Sequence, residues 1–400
     1  MRKKRIFSAL LAAITLALAV LPMSASKKNF EGKVAFSPTV TIAQAEGPVK
    51  HTQIIDGQPG NKTEIPLLSG DIYMVCKYYR KMYTGSFNFG YEDCFAPTPL
   101  TVSWTSKEDA PLYYTFDIST NSDMSSAESY ITFDSSVTLK YLFMGYDYYY
   151  QISAKYEDKL IKSRIFEFST EYLPRTVFVD ENVSNTRDWG GYYVDNGTKR
   201  VKQGIAYRGG ALEDISEEGK RRMLVDLGIK TDLDLRKDGS TNLGHSPISP
   251  DINYVEVGGP WYVGQYGSGI DLPSYQEALL TEIRVFANAD NFPVYVHCSL
   301  GRDRTGTICF LINALLGVGE QDLFRDYEIS SMARTGKSID SPNSEPWYMT
   351  GVVFQYLYDY IKNFQSGKTL QENAEAFMLS IGITESEISA IRKNMLEDVK

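Results

Sequence analysis

The sequence predicts a multidomain chain: an N-terminal all-β sandwich followed by an α/β domain with a central sheet and a helical C-terminal tail. Three observations carry that expectation. The first half holds short runs of Val, Ile, Thr, Tyr and Phe between turn clusters. The second half alternates strand-length apolar runs with amphipathic helical spacing, and the chain beyond them keeps a helical period. With 400 residues, 43% hydrophobic and 23% charged, the composition is that of globular proteins. Collagen-like, disordered and multi-span membrane classes are excluded. The length suits two or three domains, each able to bury a core.

In chain order, Arg2, Lys3, Lys4 and Arg5 precede an apolar stretch from Ile6 to Leu21, and Ser24-Ala25-Ser26 offers small residues for cleavage. Residues 1–26 therefore read as an export signal, and the mature protein is expected to be secreted or held at the cell surface. The apolar run is short for a spanning helix, so no stable membrane span is expected after cleavage. Residues 27–70 are polar with scattered Gly and Pro, and read as a loosely structured leader. Residues 71–172 form the β module. Its strands are expected at 100–104, 113–119, 130–133, 148–156 and 165–170, a spacing that suits a sandwich. Trp104 on an early strand and the late run Tyr148-Tyr149-Tyr150-Gln151-Ile152-Ser153 make this segment resemble a fibronectin type III module. Its many tyrosines fit either a protein or glycan contact face or core packing, and packing is the preferred reading. Cys76 and Cys94 could pair in an exported chain.

Residues 173–400 read as the α/β domain. Helical spacing runs from Glu213 to Leu227 and stops at Gly228; strands follow at 230–235 and 253–257. An amphipathic helix over 274–289, a short strand over 293–296 and an apolar helix over 304–316 come next. The remainder is helical to Lys400, with breaks near 336–346, 366–367 and 382.

Lys+Arg number 41 against 50 Asp+Glu, a net charge of −9, so nucleic acid is not an expected partner. Three histidines (His51, His245 and His297) give little material for a histidine-rich metal site, and four cysteines are too few for a disulfide scaffold. The chemistry gathers at Val294-Tyr295-Val296-His297-Cys298-Ser299-Leu300-Gly301-Arg302-Asp303-Arg304-Thr305-Gly306. An apolar strand enters a short loop that opens onto a helix, a geometry that gathers backbone N–H groups into an anion cradle. Cys298 feels that field, which favours its thiolate. Arg304 can bind two phosphoryl oxygens at once, Gly301 allows an unusual backbone turn, and Thr305 can hydrogen-bond the sulfur. A nucleophile, a nest of amides and a bidentate arginine suit phosphoryl transfer from a phosphomonoester through a phosphocysteine. The loop supplies its own positive field, so no metal or other cofactor is expected.

This stretch resembles the cysteine-dependent protein-tyrosine phosphatases, most closely their bacterial tyrosine/serine, dual-specificity and lipid-phosphatase-like branch. That branch reads His-Cys-x-x-Gly-Lys-Asp-Arg-Thr-Gly, and Arg302 here replaces its lysine. The likeness extends to Tyr207-Arg208-Gly209-Gly210-Ala211-Leu212 and to the run from Leu227 to Arg236, covering about residues 175–400. It implies that Cys298 is the nucleophile and Arg304 a catalytic phosphate binder. Ser299, Leu300, Gly301, Arg302 and Asp303 would complete the cradle. Asp303 is the preferred general acid. Asp271, the only carboxyl in the flexible, aromatic stretch 258–273, is the alternative. Asp234, Arg236 and Arg208 either contact substrate or form structural pairs; His297 either lowers the Cys298 pKa or packs. Cys309, on the apolar helix, reads as core. The expected substrate is a phosphorylated protein, with phosphoinositide or inositol phosphate as the alternative. A binding protein with a dead phosphate-reading loop is a third reading, disfavoured by the intact Cys298 and Arg304.

Overall fold

The computed structural model describes residues 37–42, 55–56, 64–65, 99–105, 110–236, 244–264, 269–330 and 347–399. Residues 1–26, read as an export signal, together with Cys76, Cys94, His51 and the break near 336–346, lie outside the described residues.

Two sheets build the first part. One has the order β2 (Ile55–Asp56), β1 (Ser37–Ile42), β4 (Leu100–Thr105), β7 (Ser136–Leu139), all antiparallel. The other runs β3 (Glu64–Ile65), β10 (Phe166–Thr170), β8 (Asp147–Lys155), β5 (Tyr113–Ser119), β6 (Glu128–Thr132), with β9 (Leu160–Lys162) paired to β8. Only the short β3 pairs in parallel there. Alternation puts Leu100, Val102 and Trp104 of β4 on the buried side, and Tyr114, Phe116 and Ile118 of β5 likewise. Trp104 meets Tyr114 edge-on at 5.2 Å and Phe116 at 6.1 Å, so the two sheets touch through aromatic rings. Tyr114, Tyr146, Tyr148 and Tyr150 are buried packing residues.

One expectation needs correcting. Ser37–Ile42 lies in the stretch read as a loosely structured leader, yet it pairs residue for residue with all of β4. Its Thr-Val-Thr-Ile alternation is a strand signal that the polar flanks obscured.

The second part is built on a five-stranded sheet of order β11 (Arg187–Asp188), β14 (Ala206–Gly209), β17 (Val294–His297), β15 (Thr231–Asp234), β16 (Asn253–Glu256). All neighbours are parallel except β11. Such strands are buried on both faces, and β14, β15 and β17 are buried at every position. Val177, Val179, Leu212, Met223, Leu227 and Tyr295 belong to one core cluster. Among the described residues the α-helices are α1 (Glu217–Arg221), α2 (Gln276–Ala287), α3 (Asp303–Leu316), α4 (Glu320–Ile329), α5 (Trp347–Lys362), α6 (Leu370–Ser380) and α7 (Glu385–Met395). Every residue of α3 is buried, its polar Asp303, Arg304, Thr307 and Asn313 included.

Two further boundaries depart from the sequence reading. The helix expected from Glu213 begins at Glu217, because Ser216 caps it by accepting the Gly219 N–H. The tail is not helical to its end: β18 (Leu396–Asp398) pairs with β13 (Lys199–Val201), which also pairs with β12 (Tyr193–Val194). Three residues are too few to show a period of two.

Candidate active site

β17 sits in the middle of the parallel sheet and delivers His297 and Cys298 to its C-terminal edge, where sites of open α/β sheets collect. The loop then runs to Asp303, the first residue of α3. Three of its carbonyls are held from outside. Ser299 O accepts the Ala211 N–H at 3.1 Å, Leu300 O the Asn185 side-chain amide at 2.9 Å, and Gly301 O the Arg208 guanidinium at 2.9 Å. In a planar trans peptide the N–H points opposite to the C=O. The amides of Leu300, Gly301 and Arg302 therefore turn toward the interior of the loop, beside the positive end of α3. Gly301 has φ +66°, and a Cβ there would lie 2.2 Å from Gly209 O. Glycine is required by both the turn and the close approach. The upstream Gly209-Gly210 motif is thus the wall against which the loop is folded.

Cys298 is 2% exposed. Burial alone would raise its thiol pKa, but the Thr305 hydroxyl and amide and the Arg304 charge outweigh it, and the net shift is downward. The Arg304 guanidinium donates to Leu235 O at 3.1 Å and Ser299 Oγ at 3.4 Å, and lies 5.1 Å from the Trp261 ring centroid. Its planar fork is thereby fixed at the loop rim.

His297 is fully buried, with Nε2 3.0 Å from Asp232 Oδ1 and 3.9 Å from Asp234 Oδ2. Burial lowers its pKa, yet the two carboxylates, Asp232 foremost, raise it to about 9. The charged imidazolium beside Cys298 is thereby favoured. Asp234 and Arg236 form a buried bidentate pair at 2.8 Å, joined by Glu213 at 2.5 Å and the Tyr254 hydroxyl at 3.2 Å. Arg208 pairs with Asp326, which also takes Arg187 Nε at 2.8 Å, and so braces the loop. These two arginines are engaged within the protein. Cys309 is buried on α3, and burial pushes its thiol up to about 12, as for a core thiol.

Asp303, 8% exposed, lies beside Cys298, and its charge opposes the thiolate. Its Oδ1 accepts the Tyr262 hydroxyl at 2.6 Å and pairs with Arg302 Nε at 3.1 Å. The rival Asp271 instead caps its own loop, taking the Gly264 N–H at 2.7 Å. This loop presents Tyr262 to Asp303 and Trp261 to Arg304.

Sequence reasoning missed Asn185, Arg187, Asp232, Trp261, Tyr262, Glu282, Asp326 and Tyr327. Trp261 and Tyr262 lie in the aromatic stretch and Asp232 in the run from Leu227 to Arg236, and Glu282 left a signal of its own: an acid in the apolar face of α2 defined by Leu279, Ile283 and Phe286. Its carboxyl is buried and pushed well above the usual carboxylate range, with Arg304 pulling it back. Among the described residues, no group of His, Cys, Asp and Glu is placed to hold a metal ion, and no helix is long and apolar enough to cross a membrane.

A family model described as the tyrosine phosphatase family matches residues 180–397. A protein of Cupriavidus necator named as a tyrosine-protein phosphatase is 26% identical over 168 residues, covering 37% of this chain and 60% of its own length. A Dictyostelium discoideum protein named likewise is 31% identical over 55 residues, 14% of this chain and 33% of its own. This chain thus spans less than two thirds of either relative. A crystal structure of the core catalytic domain of the PP-IP phosphatase Siw14 from S. cerevisiae aligns over 44% of this chain and 90% of that one. Its identity is 18% and its TM-score 0.28, a loose likeness.

Proposed function

The chain belongs to the tyrosine phosphatase family, and from that premise we propose that it hydrolyses phosphomonoesters through a phosphocysteine on Cys298, with phosphotyrosine in protein as its main substrate. The observation that carries this reading is the loop whose carbonyls are held outward by Ala211, Asn185 and Arg208, leaving an amide cradle around a thiol of lowered pKa. The Cys298 thiolate attacks phosphorus in line. The S–P bond forms as the P–O bond breaks, and the Asp303 carboxyl gives its proton to the departing oxygen. Water then attacks phosphorus, the S–P bond breaks, and the Asp303 carboxylate takes the proton of that water. Phosphate and the thiolate are released. Arg304 and the amides stabilise the equatorial oxygens throughout.

Trp261 beside Arg304 supports an aryl ester, because a phenyl ring can pack where the phosphate is bound. A polyanionic inositol compound would call for further cationic side chains around the loop, but Arg208 and Arg236 are both bound to buried carboxylates. The N-terminal part adds the finer proposals of a fibronectin type III-like module and of export directed by residues 1–26. The testing assay compares a phosphotyrosine peptide, a phosphoserine peptide, a phosphoinositide and inositol hexakisphosphate, with Cys298→Ser as the control. Turnover fastest on the tyrosine peptide and absent in Cys298→Ser is expected. A clear preference for the inositol compounds would move the substrate to that class.

A further inference from the structure

On the reading that Asp303 is the general acid, we propose that Tyr262, backed by Tyr327, positions the Asp303 carboxyl for proton delivery. The Tyr262 hydroxyl donates to Asp303 Oδ1 at 2.6 Å and stands 2.9 Å from the Tyr327 hydroxyl, which completes a chain of phenols ending on the acid. Both tyrosines are 2% exposed. Arg302 Nε reaches the same Oδ1 at 3.1 Å. With both donors on one oxygen, the proton of the neutral acid resides on Oδ2, and Oδ2 is the atom that gives it to the leaving group.

The backbone shows that this tyrosine is held in place for the contact. Tyr262 has φ +47°, a conformation that a bulky residue adopts only when its surroundings enforce it. Its N–H donates to Thr307 Oγ1 at 3.0 Å, and that hydroxyl donates to Asp303 O at 3.0 Å. Its carbonyl accepts the Ile270 N–H at 2.8 Å. The loop after β16 and the first turn of α3 are thereby clamped together at the acid. Among the described residues, the titratable and charged groups facing Asp303 include Cys298, Arg302, Tyr262 and, through Tyr262, Tyr327. Burial keeps the Tyr262 phenol neutral, so its donor persists across the working pH range.

The experiment measures kcat and KM of the full chain and of Tyr262→Phe, Tyr327→Phe and Asp303→Asn. Phenyl phosphate serves as the poor leaving group and a nitrophenyl phosphate as the good one. Tyr262→Phe is expected to lower kcat on phenyl phosphate roughly tenfold, with KM little changed and the nitrophenyl ester little affected. Tyr327→Phe, which keeps the direct contact, should act in the same direction and less. Equal losses on both esters, or no loss on phenyl phosphate, would overturn the proposal. If Asp303→Asn is selective for the poor leaving group and Tyr262→Phe is not, only the role of Tyr262 falls. If Asp303→Asn is not selective, the acid assignment falls and takes this role with it.

Discussion

His297 shows how a single buried side chain sets the state of its neighbour. Removing an imidazolium from water disfavours the charged form, and the Asp232 carboxylate 3.0 Å away reverses that preference. The pKa of about 9 in the folded protein lies above the ordinary 6.5. The folded state therefore binds this proton more tightly, and the associated stability is fully present below pH 6.5. It is lost as the pH rises through 9. Asp232→Asn removes the cause. The stability gap between wild type and Asp232→Asn, measured by denaturant unfolding from pH 6 to above 9, should therefore narrow with rising pH. The narrowing should be on the order of 3 kcal/mol. A gap that stays constant across the range would show that His297 is not protonated in the folded protein. The Cys298 thiolate faces a similar contest, won by Thr305 and Arg304 against burial.

At the scale of elements, the working unit is strand β17, its loop and helix α3, and its central joint is Gly301. A Cβ there would meet the Gly209 carbonyl carbon at 2.3 Å, and a left-handed backbone costs an alanine about 1–2 kcal/mol before any clash. Gly301→Ala is expected to lower the melting temperature and to reduce kcat more than tenfold. Activity near wild type in steady-state assays would show that the loop does not need this turn. This unit was legible because its parts are contiguous: Cys298, Gly301, Arg304 and the start of α3 lie within a few residues. The bracing was not legible. Arg208 and Asp326 are 118 residues apart in sequence, and Tyr262 and Tyr327 are 65 apart. No periodicity links such pairs, since only the fold brings Asp326 of α4 to Arg208 of β14, and Tyr327 to the loop after β16. Asp234 and Arg236, two residues apart, showed at once that they could pair, but not that Glu213 and Tyr254 would join the pair. The paired strand Ser37–Ile42 and the short β18 were hidden for a simpler reason, namely polar flanks and too few residues.

Over the whole molecule, the β module is joined to the α/β part by polar contacts and not only by the chain. The Gln203 side chain exchanges hydrogen bonds with the Met144 backbone at 3.0 and 2.7 Å, and Arg175 lies 4.8 Å from the Phe143 ring. Glu397 on β18 receives both Arg200, at 2.6 Å, and the Tyr146 hydroxyl. The C-terminal strand thereby ties the end of the chain to the β module, which explains why a stretch with helical surroundings ends extended. Deleting residues 396–400 removes these bonds, so assays belong on the full chain. The central claim is a covalent one. The full chain, acid-quenched during turnover of a phosphotyrosine peptide and digested, can be read by mass spectrometry of the peptide that contains Cys298. A phosphate on Cys298 in the wild type, with neither adduct nor turnover in Cys298→Ser, is the result this account predicts. Turnover with Cys298 unmodified and Cys298→Ser still active would contradict it.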